Sequence, residues 1–376
     1  MKSAIKSAFR KILRKKDDIP SLININISKS ALLYNLNQFR KAVGDRDVAP
    51  VLKGNAYSHG LREIVNILKD EKVPFFIIDS YFEAKVIRNE GIKTPLLIVG
   101  YVIPENINNS KLKNIIYTIG SIDTLKSINR ETRIHIKIDT GMHRQGIALE
   151  DIDDAIKIIK ENKKIKLEGI CSHLADADNT DSAYTKDQIR KWNSAVEIWK
   201  EAFPDLQYFH ISASVGINYR EAKANLIRLG IGLYGLIEID GVETKPILEM
   251  KTIISSIKKI KKGECIGYGC TFSAIEDMTI ATIPMGYYEG IDRRLSNTGE
   301  VKIGNIFCPI VGRVSMNIAT IDISRIVNAK IGDEVIVISK NRKDKNSIEN
   351  IAKICETIPY EISVYIAQHL KRNVVE

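Results

Sequence analysis

Eight short apolar runs that alternate with longer stretches of helical spacing constrain this chain more than any other feature. The runs are VAPVLK, PFFIID, PLLIVG, NIIYTI, IHIKID, LEGICS, QYFHIS and NLIRLGI. Most are separated by segments such as SALLYNLNQFRKAV, GLREIVNILKDE, SYFEAKVIRNEG, DIDDAIKIIKEN and TKDQIRKWNSAVEIWKEAF, whose apolar residues recur with a helical period. Strands joined through helices run parallel, and eight of them can curl until no free edge remains. The pattern predicts an α/β fold built on a TIM-type (β/α)8 barrel. An open doubly wound sheet is the alternative, because periodicity alone does not prove closure.

The regions on either side read differently. One isolated strand candidate, LININI at 22–27, precedes the alternation. After about residue 245 come KPILEMKTIISSIKKI, ECIGYGCTF, MTIATIPMGY, EVKIGNIFCPIVGRVSM, ATIDIS and DEVIVIS, punctuated by glycine-containing turns and followed by one helix candidate, SIENIAKICETI. The expected division is a basic extension at 1–18, a barrel at 19–245 whose first strand is free to join the other domain, and a mainly β domain at 246–376. A hydrophobic fraction of 44% in 376 residues supports cores for two domains and excludes a disordered chain or a fibre.

Lys plus Arg number 56 against 46 Asp plus Glu, a net charge of +10 that suits anionic metabolites as well as nucleic acid. The lysine-rich runs RKILRKK, KIIKENKKIK and KNRKDKN accompany neither interleaved aromatics nor a nucleic-acid motif, so they read as solvated surface and no nucleic-acid partner is expected. The five cysteines, Cys171, Cys265, Cys270, Cys308 and Cys355, make neither a metal-ligand cluster nor a dense disulfide framework; reduced thiols in a cytoplasmic protein and no metal are the expectation. MKSAIKSAFRKILRKK can form a short basic helix with Ile5, Phe9 and Ile12 on one face, but it lacks the apolar region of a signal peptide. No apolar run reaches transmembrane length, so no stable membrane partner is expected.

Chemistry-bearing residues collect where the strands end. Lys53 closes the first run in VLKGNAYSHG, His173 follows the sixth, His210 and Ser212 end the seventh with Ser214 just beyond it, and Arg228 lies in the eighth. That end of a parallel barrel is where such folds place their chemistry. Glycine-rich LGIGLYG beside Ser214 offers unobstructed N–H groups for a phosphate, although its glycines also suit barrel packing and His210 also suits a buried structural role. A phosphate cup with a strand-end lysine points to pyridoxal 5'-phosphate. No Walker motif or strand-following dinucleotide fingerprint competes.

Together with IHIKIDTGMHRQG, EGICSHLADAD, RLGIGLYG, IGYGCTF, IPMGYYEGIDRRLS, PIVGRVSMN and PYE, the stretch VLKGNAYSHG resembles the alanine racemases, fold-type III pyridoxal-phosphate enzymes. The resemblance covers nearly the whole chain after the basic extension. It implies that Lys53 bonds the cofactor and serves as one acid-base group, with Tyr268 of a partner subunit as the opposing one. It assigns the cofactor phosphate to Tyr57, Ser214, the backbone of Gly230 and Ile231, and Tyr360. His173 is implied beside the pyridine ring and Arg228 at its nitrogen, where a permanent positive charge disfavours ring protonation. Substrate carboxylate falls to Arg144 and the backbone of Met316, Tyr287 stands at the mouth of the site, and Lys137 matches a position that can carry a carbamate. The implied function is interconversion of L-alanine and D-alanine by two bases in a cytoplasmic homodimer with interface sites, feeding cell-wall synthesis. Three departures bear on substrate range. Ala213 replaces an asparagine, Asn317 replaces an aspartate, and the pattern after Tyr360-Glu361 is eroded. A broader racemase that accepts serine, a decarboxylase of the same cofactor fold and a non-enzymatic pyridoxal-phosphate-binding protein are the alternatives.

Overall fold

The computed structural model describes residues 20–179 and 181–376; the basic extension expected at 1–18 lies outside them. The eightfold alternation becomes strands β2 (Asp47–Pro50), β3 (Phe76–Ile78), β4 (Leu96–Ile98), β5 (Ile115–Ile119), β6 (Thr132–Lys137), β7 (Ile165–Cys171), β8 (Tyr208–His210) and β9 (Leu226–Leu229). β3 to β8 form one parallel sheet in chain order, and β2 pairs with β9. Two parallel bridges, Val51 to Ile77 and Ala213 to Arg228, close the remaining gaps, so the sheet returns on itself as a barrel. Every residue of β3 and β4 is buried, as expected for parallel strands packed on both faces.

The connecting helices follow from amphipathic spacing and from caps. Leu61, Ile64, Val65 and Leu68 face the core from the helix Leu61–Leu68. The helix Tyr81–Asn89 opens on a capping box in which Ser80 and Glu83 satisfy each other's backbone N–H groups. Ala183–Ala202, the longest helix among the described residues, buries Trp192 and Trp199 against the barrel.

Strand β1 (Asn24–Ser28) lies outside the barrel. It runs antiparallel to β10 (Leu248–Ile253) and parallel to β19 (Arg372–Val375), inside a six-stranded sheet. A three-stranded sheet and a two-strand hairpin, Cys265–Ile266 with Phe272–Ser273, complete the mainly β C-terminal domain. Within KPILEMKTIISSIKKI the chain changes sheet: β10 ends at Ile253 and β11 (Ser256–Ile260) belongs to the three-stranded sheet. A local expectation is corrected. The chain has more than one helix at its end, because Ile348–Ile354 is followed by Pro359–Val364, which a proline at its first turn initiates.

Candidate active site

Lys53 follows β2 at the mouth of the barrel, and the backbone beyond it is unusual. Gly54, Asn55, Ala56, Tyr57 and Ser58 all have positive φ, between 54° and 65°. They form a left-handed turn in which Ala56 N donates to Leu52 O and Ser58 N to Gly54 O. For each of the four residues that carry a Cβ this conformation costs roughly 1 kcal/mol or more, so the turn depends on outside partners. His59 Nδ1 lies 2.9 Å from Tyr57 O, Ser363 Oγ donates to the same carbonyl at 2.6 Å, and Arg372 Nη2 donates to Ser58 O at 2.9 Å. The C-terminal domain thus braces the loop that presents the lysine.

A cavity of about 1060 Å³ occupies this mouth. Its walls bring together Lys53, Tyr57, Lys137, Arg144, His173, Ser214, Arg228, Gly230, Ile231 and Tyr360, drawn from β6, β9, the segments that follow β2, β6, β7, β8 and β9, and the helix Pro359–Val364. At its floor the Arg228 guanidinium is nearly fully committed. Nη1 donates to His210 Nδ1 at 2.9 Å and His210 O at 2.8 Å; Nη2 donates to Ser172 O and Ile211 O at 2.8 Å and to His173 Nδ1 at 2.9 Å. Nε has no protein acceptor among the described residues, which leaves it for a group in the cavity.

The direction of these bonds sets the tautomers. His173 and His210 accept from arginine at Nδ1, so each carries its proton on Nε2. His210 then donates to His135 Nδ1 at 2.9 Å, which puts the His135 proton on its buried, unpartnered Nε2. Burial, reinforced by the Arg228 charge, pushes His173 down to about 3 and His210 well below its ordinary value. His135, buried and near Arg133 and Arg228, falls to about 3. All three imidazoles are neutral at physiological pH, and none of the acceptors on Arg228 is a carboxylate. The same burial lowers Lys137, with Arg144, Arg228 and Lys53 adding positive charge around it.

At the ends of β8 and β9 lies a cup of donors. Ser214 Oγ accepts from Gly230 N at 3.1 Å and Gly232 N at 3.2 Å, which frees its own proton for an acceptor in the cavity. A Cβ on Gly230 would come within 2.7 Å of Tyr57 Oη, so only glycine lets the tyrosine close on this backbone. Burial raises both Tyr57 and Tyr360, the latter to about 12, and both phenols stay donors. A hydroxyl, two phenols and the Ile231 N–H, which has no acceptor among the described residues, fit a phosphate, and a lysine and an arginine lining the same cavity fit an aldehyde-bearing pyridine.

Tyr268, Met316 and Tyr287 do not line this cavity. They sit on the C-terminal domain with 71%, 56% and 44% of their surfaces exposed. Tyr268 projects from the turn of the two-strand hairpin between Gly267 and Gly269, whose φ values are 76° and 73°. Tyr287 N donates to Ser315 O at 3.0 Å, and a Cβ on Gly286 would strike the carbonyls of Ser315 and Met316, so these two loops are held together. Asn317 donates to Glu289 Oε1 at 2.6 Å, and the other oxygen of that buried carboxylate accepts from Gly286 N at 2.8 Å. The negative charge missing at 317 is therefore present one loop away. Sequence reasoning missed Glu83, whose carboxylate reaches the lysine turn; its only signal was the capping pattern Ser80-x-x-Glu83.

Two family descriptions match the chain in succession: alanine racemase N-terminal domain over residues 27–238 and alanine racemase C-terminal domain over 247–374. An alanine racemase of Methanococcus maripaludis is 34% identical over 361 residues, 92% of this chain and 96% of that protein. One from Clostridium tetani is 34% identical over 370 residues, 94% of this chain and 95% of that one. Among solved structures, alanine racemase of Clostridium difficile superposes with a TM-score of 0.88 at 30% identity, covering 95% of this chain and 97% of the other.

Proposed function

The chain belongs to the alanine racemase family, and from that premise we propose that it interconverts L-alanine and D-alanine with pyridoxal 5'-phosphate, passing the α-proton between two side chains. The observation that carries the reading is Arg228, which lines the cavity held by two neutral histidines and three carbonyls, with no carboxylate among its acceptors and no acceptor on its Nε among the described residues. An acid at that place would favour a protonated ring and the decarboxylase alternative; a fixed guanidinium opposes both. Bound in this cavity, the cofactor would supply stabilisation of negative charge at the substrate α-carbon.

The chain's own residues do the rest. Tyr57, Ser214, Gly230, Ile231 and Tyr360 hold the phosphate, Arg228 meets the ring nitrogen and His173 lies beside the ring. The Lys53 amine bonds the cofactor and, when released, carries a proton on one face of the substrate. Inverting a stereocentre needs a second carrier on the other face; of the two C-terminal-domain tyrosines that line this cavity, Tyr360 serves the phosphate and Tyr365 Oη is spent on Glu361 Oε1 at 3.0 Å. We assign that role to Tyr268 of the partner subunit, whose exposed turn suits insertion into a second barrel, so the active unit is a homodimer with interface sites. Arg144 and the backbone of Met316 of the partner subunit take the substrate carboxylate, with Tyr287 of the partner subunit at the mouth. A cytoplasmic place and supply of D-alanine to cell-wall synthesis accompany this reading; among the described residues no helix is long and apolar enough to cross a membrane.

The test is incubation of the purified protein and cofactor with each alanine enantiomer separately, following loss of optical activity, with serine in parallel for substrate range. Racemisation in both directions is expected. Tyr268→Phe should still bind cofactor and lose at least about 100-fold in kcat, the usual scale for an acid-base group. Cofactor binding without turnover of either enantiomer would defeat the assignment.

A further inference from the structure

The Glu83 carboxylate joins two elements that a helix cap does not need to join. Oε2 accepts from Asp79 N at 2.8 Å and Ser80 N at 3.4 Å, which completes the cap of the helix Tyr81–Asn89. Oε1 faces the other way and accepts from Gly54 N at 2.7 Å and Asn55 N at 3.3 Å, the first two amides after Lys53. These residues have φ of 65° and 55°. Successive backbone N–H groups that converge in this way form a concavity that attracts an anion; here the anion is a side chain of the same fold, and it also lines the cavity.

The position of the contact gives it consequence. Lys53 is the hinge between β2, fixed by barrel pairing, and a left-handed turn that most side chains disfavour. Ser363 and Arg372 brace the far end of that turn at Tyr57 and Ser58. Glu83 alone, among the described side chains, accepts the amides adjoining the lysine. Resting on the pyridoxal-phosphate reading above, we propose that Glu83 is a positioning residue for Lys53: its carboxylate fixes the turn so that the lysine amine returns to one point in the cavity.

The decisive comparison is Glu83→Gln against Ser80→Ala in the full chain. The amide side chain keeps one acceptor but places an NH2 against a pair of backbone donors. Ser80→Ala opens the same helix cap while the Oε1 bonds persist. Glu83→Gln should lower kcat by about 100-fold with little change in KM, as small misplacements of reacting groups do, and slow covalent capture of pyridoxal phosphate measured by absorbance. Amide exchange should rise across 53–60. Ser80→Ala should raise exchange at the start of the helix Tyr81–Asn89 and keep most of the turnover. Equal losses in the two variants, or a Glu83→Gln chain with wild-type kcat and a protected turn, would overturn the proposal. If Glu83→Gln does not fold, Glu83→Asp, charged but one methylene short, is read by the same measurements. Should the wild-type chain fail to racemise alanine, the racemase reading falls alone. Glu83 is then judged by amine acylation, with faster labelling of Lys53 in the variant supporting the proposal and equal labelling refuting it.

Discussion

At the scale of single residues, Lys137 shows how burial and neighbours together favour a modification. Its amine is lowered by desolvation and by Arg144, Arg228 and Lys53, so more of it is neutral at a given pH, and only the neutral amine attacks carbon dioxide. The product carbamate releases one proton and replaces a cation by an anion among three positive charges. We therefore expect carbon dioxide depletion to lower kcat severalfold and bicarbonate to restore it, with the response absent in Lys137→Ala. Turnover indifferent to bicarbonate would show that Lys137 acts as a plain amine. Neither the cluster of cations nor its burial was legible from IHIKID, since the charges arrive from three different strand ends. Lys53 was legible because a charge at the end of an apolar run has few places to point. Glu83 was not, because Ser-x-x-Glu is fully accounted for by a cap and the partner amides lie 29 and 28 residues away.

Among the elements, the barrel strands were legible where burial covers both faces and periodicity gives way to continuous apolar runs, as in β3 and β4. The corner between β10 and β11 was not, since no glycine or proline marks it. Ile254 N bonds Asp333 O and the next residue, Ser255, bonds Thr282 O, so adjacent residues hand the chain from one sheet to another through tertiary contacts alone. The six-residue helix Pro359–Val364 is likewise too short to show a period. This short helix and β19 matter to the site because they carry Ser363 and Arg372 onto the lysine turn. Arg372 is 9% exposed and gives Nη2 to Ser58 O at 2.9 Å and Nη1 to Ala367 O at 2.8 Å. Arg372→Ala leaves Ser58 O without a donor and Ala367 O with only the long bond from Leu370 N at 3.4 Å, and should lower stability by about 2 kcal/mol, seen as a lower urea midpoint at unchanged slope. A loss below about 0.5 kcal/mol would mean that β19 is held without this contact.

For the whole molecule, the arrangement of charge predicts sensitivity to mild acid. Four histidines, His59, His135, His173 and His210, are neutral in the fold with values depressed from 6.5, to about 4 for His59 and about 3 for His135 and His173. Burial is the leading cause in each. In the unfolded chain they take up protons below pH 6.5, whereas in the fold they do not, so the unfolded state binds more protons and stability falls as pH drops through this window. Each histidine contributes a slope of at most about 1.4 kcal/mol per pH unit, or roughly 2 kcal/mol by pH 5, against a total of about 5–15 kcal/mol for a typical domain. Carboxylates do not account for the same range: Asp292 and Asp344 are lowered from 3.8 by their Arg294 and Lys302 partners and lose that contribution only at lower pH. Three of the four histidines lie on the Arg228 network, so the acid response and the cofactor site share one structure. Urea denaturation at pH 7.5, 6 and 5 should show a steep decline, with pyridoxal phosphate affinity falling in step. A stability that stays level from pH 7 to 5 would mean that these imidazoles accept protons without leaving the fold, and that the Arg228 network tolerates a second charge.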